Sequence, residues 1–236
     1  MSEGRSKPGI PLWYPLVIGG IIALLLLFVT SAARRRDGRG RTRMLNHFKQ
    51  IAIALQSYQE VYKRLPPPAI VSKDGRPLLS WRVAILPFIE QSDLYRRFHL
   101  DEPWDSPHNK GLLNEQPYLF LLPDQEVQGE DRTVTYIQAF VGPGTPFDPN
   151  AECRIMDADV KRDDVRVLVI EAGDPVPWTK PEDIPFDPRA PLPPLGGSYS
   201  RDRGHLAVIA RVDTTIAILE ERDRDRLPRL IPLRGR

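Results

Sequence analysis

A single cysteine, Cys153, excludes an intrachain disulfide and any metal cluster built on cysteines. An excess of one charge is also lacking. The chain carries 33 basic and 31 acidic residues, a net +2, so no overall field draws it to nucleic acid and no such partner is expected. The basic residues instead concentrate at 34–43 and 222–236, on either side of the expected folded body. Catalytic signatures are missing as well. Val141-Gly142-Pro143-Gly144-Thr145 lacks the Lys-Ser/Thr ending of a phosphate loop. No serine lies in a Gly-x-Ser-x-Gly frame, and Gly196-Gly197-Ser198 is no exception. The chain is therefore expected to be no enzyme and to need no cofactor or metal.

What is present begins with an apolar run. No charged side chain occurs from Pro8 to Ala33, and residues 16–29 read LVIGGIIALLLLFV. About 20 helical residues span the hydrocarbon layer, so residues 10–33 are expected to hold the lipid bilayer as a single-pass anchor. Trp13 and Tyr14 stand at one end of the run, where amphipathic rings suit the headgroup region, and Arg34, Arg35 and Arg36 close the other. A cleaved secretory signal ending at Ser31-Ala32-Ala33 is the rival reading. The arginines that follow the run outnumber Arg5 and Lys7 before it, which by charge alone would keep the rest of the chain in the cytoplasm.

Downstream, Met44, Phe48, Ile51, Leu55, Tyr58 and Tyr62 recur at steps of four and three, the spacing of one helical face. Pro66, Pro67 and Pro68 end that helix. Asp74-Gly75 marks a turn, and residues 80–98 read as short helices broken at Pro87. Ser106-Pro107 reads as an N-cap with proline at the first helical position. After Pro117 the pattern changes to short apolar runs at 118–122, 133–141, 166–171, 205–210 and 214–219, which predict an antiparallel sheet. Eight prolines between residues 175 and 194 mark an ordered strap. The fold class is thus α+β: a membrane helix, then an amphipathic helix packed on an antiparallel sheet. Residues 1–43 form the anchor and its basic flank, 44–221 the globular domain, and 222–236 a charged, mobile tail.

Candidate binding residues are Trp81, Trp104, Asp105, His108, Glu171 and Trp178. The segment from His99 to Asn109 is the densest in polar side chains, yet it matches no calcium loop. Caps and turn hydrogen bonds account for Asp105, Ser106 and Asn109, with Trp104 packing as the loop's anchor. Glu171, at the end of an apolar strand, is a candidate buried carboxylate, as a general base or as a hydrogen-bond acceptor for a crossing loop.

Several segments together resemble a known family. They are Leu45-Asn46 through Tyr58 with Leu65-Pro66-Pro67, residues 77–83, Leu86-Pro87 with Glu90-Gln91, residues 98–109, Val141 to Thr145, and Glu171-Ala172 with residues 176–181. The family is that of the pilin-like proteins of unknown function with a prepilin-type N-terminus, expanded in planctomycete bacteria and formerly called family-10 bacterial solute-binding proteins. The resemblance implies an inner-membrane helix whose distal half packs on an antiparallel sheet, with the domain outside the cytoplasm. It implies assembly or surface attachment, with pilin-like or secretion-assembly partners, and no enzyme activity. The older name implies an alternative, an extracytoplasmic solute- or carbohydrate-binding module in which Trp81, Trp104 and Trp178 stack on a ligand. Three positions depart from the family's pattern. Gly9-Ile10-Pro11-Leu12 has no glutamate of a prepilin site, Leu122-Pro123-Asp124 lacks the family's cysteine, and Thr214 stands for a glycine in the closing hairpin after His205 and Asp213.

Overall fold

The computed structural model describes residues 13–123, 131–150, 166–201 and 203–231, with the backbone alone for most residues before 38. The chain divides into two compact units, Met1–Thr42 and Arg43–Arg236. Cys153 and Asp124 lie outside the described residues.

Helix α1 runs Trp13–Tyr62. In the first unit the described side chains of Ile21, Leu24, Leu25, Leu27 and Phe28 are exposed. Among the described residues no helix is long and apolar enough to cross a membrane. The anchor expected over 10–33 falls largely on side chains outside the described ones.

In the second unit the last turns of α1 show why the four-and-three spacing matters. Met44, Phe48, Ile51 and Leu55 are each fully buried, and Ala52 and Ala54 between them allow close approach. Burying each large side chain contributes roughly 1.5–3 kcal/mol. The stripe then leaves the core, with Tyr58 half-buried and Tyr62 exposed. The helix stops one residue later, where Lys63 turns left-handed at φ 60° ahead of the three prolines.

Against this helix stands a four-stranded antiparallel sheet in the order β3-β5-β7-β8, from Val134–Gln138, Val167–Pro177, Ala207–Arg211 and Ile216–Leu219. Alternation sends Val208 and Ala210 to the α1 cluster and Ala207 and Ile209 to a second cluster on the other face. A register shift between Val167 and Val169 places both Leu168 and Val169 in the first cluster. The hairpin joining β7 to β8 closes with Thr214 in the left-handed region at φ 62°, the position where the resembling family has glycine.

Three sequence expectations are corrected. Residues 118–122 form no strand but a 3-10 turn, Tyr118–Phe120, because Leu119 to Leu122 are all buried in succession rather than alternately. The Phe120 carbonyl is taken by the Gln116 and Thr135 side chains instead of a ladder. The sheet content is also not wholly antiparallel. β4 (Phe140–Val141) and β6 (Ile184–Pro185) pair in parallel, since the strap returns alongside β4 in the same direction. Finally, the charged segment after Glu220 is no tail as far as residue 231. It forms a 3-10 helix, Glu221–Arg229, opened by a capping box between Glu220 and Asp223, and its Leu227, with Ile231 beyond, is fully buried against the second cluster. The charges of ERDRDR face outward while two apolar residues seal the sheet.

A hairpin not anticipated from sequence flanks the Asp74-Gly75 turn: β1 (Ala69–Val71) against β2 (Pro77–Ser80). The helices expected after Ser80 are present as α2 (Trp81–Ala84), a 3-10 turn Leu86–Ile89 containing Pro87, and α3 (Ser92–Arg97). Helix α4 (Pro107–Gly111) starts at Ser106, whose Oγ accepts from Asn109 N at 3.2 Å. The strap is ordered: Gly173 N donates to Pro194 O at 3.0 Å, and Gly196 N donates to Glu171 O at 2.9 Å.

Candidate functional site

The residues singled out in the sequence do not converge. Trp81 and Trp178 are fully buried, joined through Phe120, whose ring lies 6.4 Å from Trp81 and 6.0 Å from Trp178. Each indole N–H is used inward. Trp178 Nε1 donates to Leu113 O at 2.9 Å, and Trp81 Nε1 donates to Asp183 Oδ1 at 3.2 Å. Neither ring can stack on a ligand. Trp104 is half-buried, its backbone N–H bonded to Leu78 O at 2.8 Å and Lys180 Nζ 5.7 Å over its ring.

The polar segment after His99 is organised by a residue inside it. Asn109 is fully buried and its side chain closes the loop. Oδ1 accepts from His99 N at 3.0 Å, while Nδ2 donates to His99 O, Glu102 O and Pro103 O at 2.9–3.1 Å. The His99 and His108 rings stack at 3.5 Å, His99 Nδ1 lies 2.9 Å from Glu102 Oε1, and His108 Nε2 donates to Arg97 O at 2.7 Å. The hydrogen bond from His99 is the main cause holding Glu102 below the usual carboxylate range. Asp105 and His108 are exposed. Among the described residues no three His, Cys, Asp or Glu side chains gather where a metal ion could be held.

Glu171 is buried as an acceptor for the crossing loop. Its carboxylate accepts from Ser200 N at 3.1 Å and from Ser200 Oγ. Desolvation pushes its pKa up, and hydrogen bonds from Ser200, Val208 and Gly197 pull against it. Gly196 and Gly197 make this approach possible. A Cβ on Gly196 would lie 2.3 Å from Leu206 O, and one on Gly197 would lie 2.6 Å from the Tyr136 ring. Gly-Gly here serves close packing, which is the signal in sequence that Glu171 faces a loop.

One concavity of the second unit is not legible in the sequence. A cleft of about 1000 Å³ opens between the end of α1, the β1–β2 hairpin, α3 and the strap. Tyr58, Tyr62 and Tyr95 supply aromatic wall, and Phe88 stands behind, 5.6 Å from Tyr58 and 6.3 Å from Tyr62. Burial pushes the Tyr58 and Tyr95 hydroxyls above their ordinary pKa, so both remain protonated donors. Arg64 and Glu182 bring charge to the lining. Asp183 also lines the cleft, but its Oδ1 is taken by Arg82 Nη2 at 2.7 Å and Ala139 N at 2.8 Å, besides Trp81. Arg82 is itself completed by Ile137 O at 2.9 Å and Ser80 Oγ at 2.7 Å. Burial pushes Asp183 up and Arg82 down, and their mutual attraction opposes both shifts.

A helix laid on an antiparallel sheet, braced by a proline strap and hollowed by a tyrosine cleft, defines a mixed α+β domain. The profile of the family described as protein of unknown function (DUF1559) matches residues 35–183, and the chain belongs to that family. No curated protein and no solved structure matches it.

Proposed function

We propose that this is a noncatalytic, pilin-like protein, anchored in the inner membrane by residues 10–33, whose extracytoplasmic domain serves assembly or surface attachment. The observation that carries the reading is the apolar run itself, charge-free from Pro8 to Ala33, with Ile21, Leu24, Leu25, Leu27 and Phe28 all exposed. Such side chains on a helix need a nonaqueous environment, and a bilayer supplies one. The burial of Met44 to Leu55 on an antiparallel sheet agrees with a pilin-type arrangement of the helix that follows. A noncatalytic role is supported by the use of Glu171, Asn109 and Asp183 in internal hydrogen bonds. Extraction of membranes at alkaline pH tests the anchor. The full chain stays in the pellet and a variant lacking residues 10–33 moves to the supernatant; release of the full chain would sink the reading.

The alternative, a solute-binding module, loses its tryptophan platform because Trp81 and Trp178 are buried. It retains a basis only in the tyrosine cleft.

A further inference from the structure

A second hollow, of about 470 Å³, is lined by Arg43, His47, Tyr118 and Arg132, all within the second unit. Arg43 and His47 stand one helical turn apart on α1, and Arg132 comes from the segment ahead of β3. Residues distant in sequence thus bring two permanent positive charges to one place. The wall behind them is fixed. His47 is buried, its Nδ1 lies 3.1 Å from Leu121 O, and its ring meets that of Tyr118 edge-on at 5.4 Å. A carbonyl only accepts, so Nδ1 carries the proton. The Tyr118 hydroxyl donates to Gln50 Oε1 at 3.3 Å, which ties that ring to α1. Arg43 and Arg132 are exposed and within reach of a ligand arriving from solvent.

Charge selects the ligand. Among the described residues no carboxylate lines this hollow. Asp131, next to Arg132 in sequence, is turned to its own loop, its Oδ1 accepting from Thr133 N at 2.8 Å and Thr133 Oγ1 at 2.6 Å. Two guanidinium groups that never lose their charge therefore suit an anion. One guanidinium fork satisfies a carboxylate, whereas a phosphate has oxygens enough for two. Each guanidinium carries five N–H donors, so a contact made elsewhere still leaves donors for the ligand. A water molecule's share of liquid volume is about 30 Å³, so the hollow is much larger than a bare phosphate and has room for the group esterified to it. We infer that this hollow binds the phosphate of a phosphate ester, held between Arg43 and Arg132 against the wall of His47 and Tyr118. A soluble ester and the headgroup of an anionic lipid share this chemistry. The site belongs to the second unit alone and does not depend on the anchor proposed above.

Isothermal titration calorimetry of the full chain in neutral detergent micelles is the test, with circular dichroism on each variant to confirm folding. Glycerol 3-phosphate is the soluble probe, and phosphatidylglycerol mixed into the micelles is the lipid probe. At least one of them binds saturably, one per chain. Binding of glycerol 3-phosphate supports the site with a soluble ester as sufficient ligand, and binding of phosphatidylglycerol alone supports it with a lipid headgroup as ligand. Arg43→Gln and Arg132→Gln each weaken binding by roughly tenfold or more, the size of a lost hydrogen bond to a charged group. Lys49→Gln removes an exposed charge of α1 outside the hollow and leaves binding unchanged. No saturable binding of either probe, or equal weakening by Lys49→Gln and Arg132→Gln, would overturn the proposal. Release of the full chain from membranes at alkaline pH, with this binding intact, would refute the anchor alone.

Discussion

Asp183 meets Arg82 across 101 residues of sequence, Oδ1 to Nη2 at 2.7 Å, with the arginine side chain wholly buried. This pair ties α2 to the proline strap, and Asp183 forms part of the cleft wall. Removing one partner leaves the other charged and dry, so Asp183→Ala is expected to cost about 3–5 kcal/mol. Replacing both, as Arg82→Met with Asp183→Asn, whose amide oxygen still accepts from Trp81 Nε1 and Ala139 N, is expected to recover a large part of that loss. Urea midpoints of the three proteins decide the matter; equal losses for the single and double variants would show that the charge is not the cause.

Glu171 makes stability depend on pH. Its folded pKa is raised, above an unfolded value near about 4.3. The folded state therefore binds the proton more tightly, and this contribution is full below the unfolded pKa and lost as pH rises through the folded one. Wild-type stability should fall over that window relative to Glu171→Gln, whose profile lacks this component. Denaturation series at stepped pH measure it, and parallel profiles would refute the assignment.

Asn109 and Asp105 separate structure from surface within one loop. Asn109→Ala strands the acceptors and donor of a buried side chain and is expected to destabilise by about 2–4 kcal/mol. Asp105→Ala, exposed, should stay within about 0.5 kcal/mol. Thermal melts compare the two.

Local patterns were readable in sequence where a residue's neighbours along the chain decide its fate. The four-and-three spacing of Met44 to Leu55, the Ser106 cap and the Pro87 break all act over one or two helical turns. The cleft was not readable, because Tyr58, Tyr95 and Pro185 come together only through the tertiary fold. The tryptophans misled for the same reason. A ring that stacks on a ligand and a ring that fills a core have the same composition signal, and only the partner of each indole N–H separates them. The C-terminal segment misled through its charge, which hid the widely spaced Leu227 and Ile231.

Leu227 tests that last point. A residue in a mobile tail can be truncated freely, whereas Leu227→Ala should cost about 2–5 kcal/mol by opening the lower face of the sheet. An unchanged urea midpoint would return the segment to the status of a tail.

Protease digestion of intact spheroplasts tests most directly whether the proposed anchor holds the domain outside the cytoplasm. Added protease is expected to degrade the domain of residues 43–231 and leave a short N-terminal fragment in the membrane. Protection of the domain in intact spheroplasts, with digestion only after lysis, would contradict it.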